Sequence, residues 1–269
     1  MTILSHFKAE GTFIELDYAQ LEIRVLALAT GDKNLVEDLV SGRDMHTYFA
    51  SRIFNKDVEE VSQAERKLAK GFSFQLQYGA GYRSIAESWN VDTQLVKGFI
   101  KDYYDRYKKV KKWQESWLKQ AESSFEYRGE SSKDSLSIPS YYVSNIWGDK
   151  EAFFLLADQW NGEYKVSPTK VKNYPIQGAG ADIMIMMLGV LDEDLSRDFD
   201  GQVRMLNTVH DSVLLEAPDN LLEDAVHAAK QSLESVPASL HKLFGVESPV
   251  EFPVDYSTGK TLEEVKHAA

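Results

Sequence analysis

The chain has 269 residues, 43% hydrophobic and 27% charged, enough apolar material for one large core or two modest ones. It has no cysteine, which excludes disulfides and thiolate metal sites, and no run of apolar residues of the length read as a membrane span. Thirty basic against 42 acidic residues leave a net charge of −12, so attraction to a polyanion would have to come from local basic stripes.

In chain order, Phe13–Leu16 reads as a short strand, followed by a helix over Gln20–Thr30 that Gly31 stops. A helical stretch covers Met45–Phe54. Ser62 is placed to cap a long helix running to Tyr78, with Gly79-Ala80-Gly81 ending it. A further helical stretch is expected from about Thr93 to Phe125, and Arg128–Ser137 reads as a mobile loop. Residues 141–166 suggest strands and turns around Gly148-Asp149 and Asn161-Gly162 without settling the pattern. Ile176–Leu195 is helical. Val203–Val209 and Val213–Leu215 read as strands joined by a tight turn at His210-Asp211, followed by a helix over Leu221–Val236 and extended chain at Pro249–Val254. No leader segment is expected at the N-terminus, and a cytoplasmic location is.

Three constellations carry chemistry. Asp17 ends the first strand, where a rigid element can hold a metal ligand in place. Asp211 sits at the tip of the later hairpin. Each alone reads as a helix cap or a turn residue. Together, two strand-end carboxylates can hold two divalent ions about 4 Å apart, which activate a hydroxyl and stabilise a leaving pyrophosphate. Hard carboxylate oxygens suit Mg²⁺. Third, Arg66, Lys70, Phe74 and Tyr78 recur every four residues, a drift of about 40° per step that keeps them on one broad helix face. The face is cationic, then aromatic, an order that suits phosphates followed by sugar and base. Leu68, Phe72 and Leu76 mark a separate, core-facing side. The basic stretch Lys101, Arg106, Lys108, Lys109, Lys111, Lys112 and Lys119 reads equally as a groove wall or a solvated helix face.

The segments DYAQLEIRVLA at 17–27, RKLAKGFSFQLQYG at 66–79 and VHDS at 209–212 resemble motifs A, B and C of family A, Pol I-like, DNA polymerases, in that order. NYPIQGAGADI at 173–183, DMH at 44–46 and FIKDYYDRYKKV at 99–110 are similar to further signatures of the family, and the likeness runs from Phe13 to the end of the chain. The resemblance implies an α+β fold: a palm of antiparallel sheet with flanking helices at 1–40 and 166–269, and mostly helical fingers at 41–165. It also implies template-directed addition of dNTPs to a primer 3′-hydroxyl by two-metal phosphoryl transfer, with Mg²⁺ as cofactor and Mn²⁺ as a possible substitute. Asp17, Asp211 and the Tyr18 carbonyl would hold the metals. Glu22 would exclude a ribose 2′-hydroxyl and hold Tyr78. His46, Arg66 and Lys70 would grip the triphosphate, with Lys70 protonating the pyrophosphate. Phe74 would lie under the sugar, and Asn173, Gln177 and His210 would touch the primer–template.

The pattern departs from the family at Ser212, where a glutamate is usual, and at Thr169, where an arginine is frequent. Gly148-Asp149-Lys150-Glu151 stands where an arginine-rich stretch is typical. Thumb and exonuclease domains are not expected within these residues. The resemblance therefore points to the C-terminal part of a phage-type split polymerase that works with a separate N-terminal chain. The alternatives are an inactive fragment, a single-subunit phage-type RNA polymerase relative, and a non-catalytic DNA-binding protein. Glu22 and Phe74 speak against the RNA enzyme, which must admit the 2′-hydroxyl, and the complete motif set speaks against decay.

Overall fold

The computed structural model describes residues 3–124, 126–127, 139–148, 150–154, 156–157 and 164–267. In chain order its elements are β1 (Lys8–Tyr18), α1 (Leu21–Thr30), α2 (Lys33–Val40), α3 (Met45–Phe54), α4 (Gln63–Gln77), α5 (Tyr82–Trp89), α6 (Thr93–Arg106), α7 (Lys108–Ser123), β2 (Glu126–Tyr127), β3 (Pro139–Ser144), β4 (Lys150–Phe154), β5 (Leu156–Ala157), β6 (Tyr164–Lys165), α8 (Pro168–Phe199), β7 (Arg204–Val209), β8 (Ser212–Ala217), α9 (Leu222–Glu234), α10 (Val236–Phe244), β9 (Val254–Thr261) and α11 (Leu262–His267). The fold class is α+β, as the sequence leads one to expect. The chain forms two compact units, Met1–Leu28 with Gly180–Ala269, and Ala29–Ala179. The loop expected at Arg128–Ser137 and the turn at Asn161-Gly162 lie outside the described residues, as do Phe125 and Asp149.

The first unit is built on a four-stranded antiparallel sheet in the order β7-β8-β1-β9. β1 is internal, so its middle must be apolar on both faces, and Phe13, Ile14, Leu16 and Tyr18 are all buried. Glu15 sits within that run as a buried carboxylate, and Asp17, one residue before the strand ends, is the exposed position. On α8, Ile183, Met187, Leu191 and Leu195 recur every four residues and are buried as one stripe. α8 is long and apolar enough to cross a membrane by length and composition, but this buried stripe marks it as a core helix. β9 runs seven residues beyond the expected extended segment, to Thr261. Its polar sequence carries no strand alternation; pairing with β1, from Tyr18↔Val254 to Lys8↔Thr261, makes it a strand. The helix expected over Leu221–Val236 is α9, and α10 follows it from Val236, with Pro237 in its first turn where the missing N–H is not needed.

The second unit packs α3, α4 and α6 around an aromatic core of Phe49, Phe72, Phe99, Tyr103 and Tyr107, all fully buried. Phe49 and Phe99 meet edge to face at 5.6 Å, as do Phe72 and Phe99. α4 starts at a reciprocal capping box between Ser62 and Glu65 and buries Ala69, Phe72, Ser73 and Leu76. Gly71 allows α5 to lie close against α4, since a Cβ there would come within 1.9 Å of the Trp89 ring. The helical stretch expected from Thr93 to Phe125 is two helices that meet at Tyr107, which leaves helical geometry at φ −104°, ψ 67°. Its hydroxyl donates to Asp38 at 2.7 Å, and Asp32 accepts the Lys109 N–H at 2.8 Å to cap the second helix. α2 and α5, too short to show periodicity, escape the sequence reading. α8 begins at Pro168, not Ile176, because buried packing keeps Pro175 inside a helix despite its missing donor. The ambiguous region contains an antiparallel pair, β3 with β4.

Candidate functional site

In the first unit the structure brings Asp17 and Asp211 together. Asp17 pairs with Ser212 across β1 and β8, which sets Asp211 beside it at the turn between β7 and β8. The Tyr18 N–H donates to the Asp211 carbonyl at 3.2 Å, and the two aspartate side chains share a hydrogen bond. His210 takes the first turn position with φ 55°, a left-handed conformation costing a non-glycine residue about 1 kcal/mol or more. The Ser212 hydroxyl is occupied in the turn, donating to the Val209 carbonyl at 3.0 Å, so the residue that replaces the usual glutamate closes the hairpin. The Tyr18 ring is buried, its hydroxyl donating to the Leu233 carbonyl at 2.7 Å, which ties the end of β1 to α9. Glu22 is half-buried in the first turn of α1, where a carboxylate suits the helix dipole.

Burial raises the Asp17 carboxyl to about 6, helped by the charge and hydrogen bond of Asp211 and by the charges of Glu15 and Asp255. Asp255 faces Asp17 across β9 and was not anticipated, since nothing local marks an aspartate in a polar tail. Among the described residues, no three or more His, Asp or Glu side chains converge as a metal-holding group. The pair still fits a divalent cation. Its donors are hard oxygens, the charge and hydrogen bond of Asp211 raise the Asp17 carboxyl as two carboxylates held close must, and Mg²⁺ is commonly held by one or two carboxylates completed by substrate phosphates and water.

The raised Asp17 value has a consequence for the metal-free chain. Between the ordinary aspartate value of 3.8 and about 6, the folded state binds more protons than the unfolded one. Stability from this group therefore falls as pH rises through that window and is flat above it. Melting temperatures measured from pH 4 to 7 should show this decline, and Asp17→Asn should remove that part of the slope. Identical slopes for the two proteins would contradict the assignment.

In the second unit His46, Arg66, Lys70 and Phe74 converge from α3 and α4. The His46 and Phe74 rings lie 6.0 Å apart, and the Lys70 ammonium is 5.6 Å from the Phe74 ring. Arg66 Nε bonds Asp44 Oδ2 at 2.6 Å, and Asp44 caps α3 through the His46 and Thr47 N–H groups. Burial lowers the His46 imidazole to about 4; Asp44 opposes the shift, while Arg66 and Lys70 add to it. His46 is thus neutral near pH 7, and its buried Nδ1 has no hydrogen-bond partner. Tyr78, the fourth member of the stripe, forms the C-cap of α4. Asn173 and Gln177 lie one turn apart on α8, outside this cluster, half-buried and exposed respectively. Asp44 stood in the DMH segment without a role of its own; its further signal is an aspartate at a helix N-cap two residues before His46.

The family model for DNA polymerase family A matches residues 2–264. The chain is 29% identical to DNA polymerase I of Lactococcus lactis subsp. lactis over 96% of its length and 26% of that protein. It is 30% identical to the thermostable DNA polymerase I of Thermus aquaticus over 83% of its length and 24% of that protein. The chain therefore spans about a quarter of the length of these relatives. Among solved structures, the POL domain of Pol1 from M. smegmatis, in complex with DNA primer-template and dNTP, superposes with a TM-score of 0.76 at 23% identity, covering 98% of this chain and 43% of that one. With its metal-fitting aspartate pair, its cationic-aromatic helix face and a family match across nearly its whole length, the chain belongs to DNA polymerase family A.

Proposed function

We propose that the chain carries the nucleotidyl-transfer centre of a DNA polymerase, adding dNTPs to a primer 3′-hydroxyl on a DNA template. The observation that carries this reading is the Asp17–Asp211 pair, set at adjacent strand ends by the β1–β8 register. With the Tyr18 carbonyl, the two carboxylates would hold Mg²⁺, or Mn²⁺ in its place. The metal would supply charge stabilisation to the attacking and leaving oxygens. In the second unit, Arg66 and His46 bind phosphate oxygens. Lys70 adds a third positive or donor group and is the candidate proton source for the departing pyrophosphate. Phe74 provides an apolar surface for the sugar, Tyr78 lies beyond it, and Glu22 discriminates against the 2′-hydroxyl. Asn173, Gln177 and His210 are assigned to the primer–template. The rest of the polymerase, on a separate N-terminal chain, is proposed to hold the duplex, because DNA affinity rests on phosphate neutralisation and this chain has a net charge of −12. Primer extension with and without that partner tests the division of labour: processive synthesis by the 269-residue chain alone would remove the need for a second chain.

Two substitutions test the selectivity residues. Phe74→Tyr should increase chain termination by dideoxynucleotides. A phenol hydroxyl near the 3′ position can replace the hydrogen bond that a missing 3′-hydroxyl leaves unmade, worth about 1 kcal/mol or roughly fivefold. Equal termination by the two proteins would take Phe74 away from the sugar. Glu22→Ala should keep most dNTP incorporation and raise ribonucleotide incorporation. Unchanged sugar preference would remove Glu22 from that role.

A further inference from the structure

Asp44 is the carboxylate on which the α3–α4 cluster is assembled. Its Oδ1 accepts the His46 N–H at 3.1 Å and the Thr47 N–H at 3.3 Å, capping α3. Its Oδ2 accepts the Thr47 hydroxyl and Arg66 Nε, each at 2.6 Å. Burial alone would raise its carboxyl, but the hydrogen bonds from Arg66 and Thr47 outweigh that and hold it at about 2, so it is charged at any working pH. The contact engages Nε of Arg66, so the two terminal nitrogens remain outside it. A guanidinium held by Nε still presents a planar pair of donors of the kind that grips a phosphate bidentately.

We propose that Asp44 is a positioning residue for phosphate recognition: it fixes the Arg66 side chain by one edge and ties the start of the helix that carries His46 to the turn of α4 that carries Arg66. This rests on reading the cluster as the triphosphate grip. The opposite effect, repulsion of a polyanion by Asp44, is weakened because its charge is matched by Arg66 and both side chains are water-screened, at 40% and 37% exposure. Asparagine cannot replace it fully. An amide has one acceptor oxygen, which can serve the helix N–H groups or Arg66 but not both, and its NH₂ would confront a donor on the other side. The long arginine side chain then loses its anchor.

The test is steady-state primer extension by the polymerase with Asp44→Asn, Arg66→Ala and both together. Asp44→Asn should raise the dNTP KM about fivefold with kcat within about twofold, the pattern of lost ground-state binding. In the Arg66→Ala background the same change should add little, because it acts through Arg66. Asp44→Ser, which keeps an N-cap without the charge, should raise KM as Asp44→Asn does while leaving the melting temperature near wild type. A KM that stays the same or falls in Asp44→Asn overturns the proposal, and so does an equal effect with and without Arg66. An Arg66→Ala protein with unchanged KM would instead sink the reading of the cluster as a triphosphate site, a separately visible failure.

Discussion

Asp17→Asn is expected to slow nucleotide addition about 10³-fold, and Asp211→Asn likewise. Each change removes one of two charged oxygens from a pair that the β1–β8 register holds within hydrogen-bonding reach. A loss of about 4 kcal/mol of transition-state stabilisation corresponds to that factor, since each 1.36 kcal/mol is tenfold. The fold should survive both changes. Asn is isosteric, and removing a carboxyl charge from a site crowded by Asp211, Glu15 and Asp255 relieves repulsion near neutral pH. Asp17→Asn should therefore raise the melting temperature of the metal-free chain above pH 6 while abolishing activity. Single-turnover extension with enzyme in excess separates this loss from weak DNA binding. Near-normal rates in either variant would remove that aspartate from the chemistry.

The largest stability effect is expected at Asp38. Its side chain is fully buried. It accepts Arg106 Nε at 2.7 Å, a second bond from Arg106 Nη2, and the Tyr107 hydroxyl at 2.7 Å, with Arg43 at 3.3 Å. Asp38→Ala leaves the partly buried Arg106 guanidinium and a buried phenol without their acceptor. Breaking a buried pair by removing one partner costs about 3–5 kcal/mol, a large share of the roughly 5–15 kcal/mol that holds a domain together. Asp38→Asn keeps the volume and one acceptor and should cost about half as much. Trp89, Trp113, Trp117 and Trp147 fall within the second unit, so their fluorescence in urea follows that unit. An unfolding free energy for Asp38→Ala within about 0.5 kcal/mol of wild type, on the order of a surface substitution, would show that the knot is not needed.

The same knot shows where sequence reasoning ended. Asp38 and Tyr107 are 69 positions apart, so nothing local announces that their contact interrupts an otherwise continuous helical pattern. The Asp44–Arg66 pair spans 22 positions, and β9 owes its strand to β1, more than 230 residues upstream. What could be read was local. An apolar run ending on Asp17, two apolar runs around His210-Asp211, and residues four apart on one helix face each encode geometry within a few turns or strand residues. At Pro175 a local rule does not hold: buried packing keeps the proline inside a helix that begins at Pro168. At Ser212 the sequence showed a departure from the family but not its meaning, which depends on the Val209 carbonyl across the turn.

Single-nucleotide incorporation decides whether this chain performs templated addition of deoxynucleotides. Enzyme in excess over a primed DNA template, at low salt, is offered each dNTP separately against each of the four templating bases. The partner polypeptide is tested present and absent. One-base extension is expected to follow the templating base, to require a divalent cation and to be lost in Asp211→Asn. Addition that ignores the template, or no addition under any of these conditions by the protein with Asp17 and Asp211 intact, would contradict it.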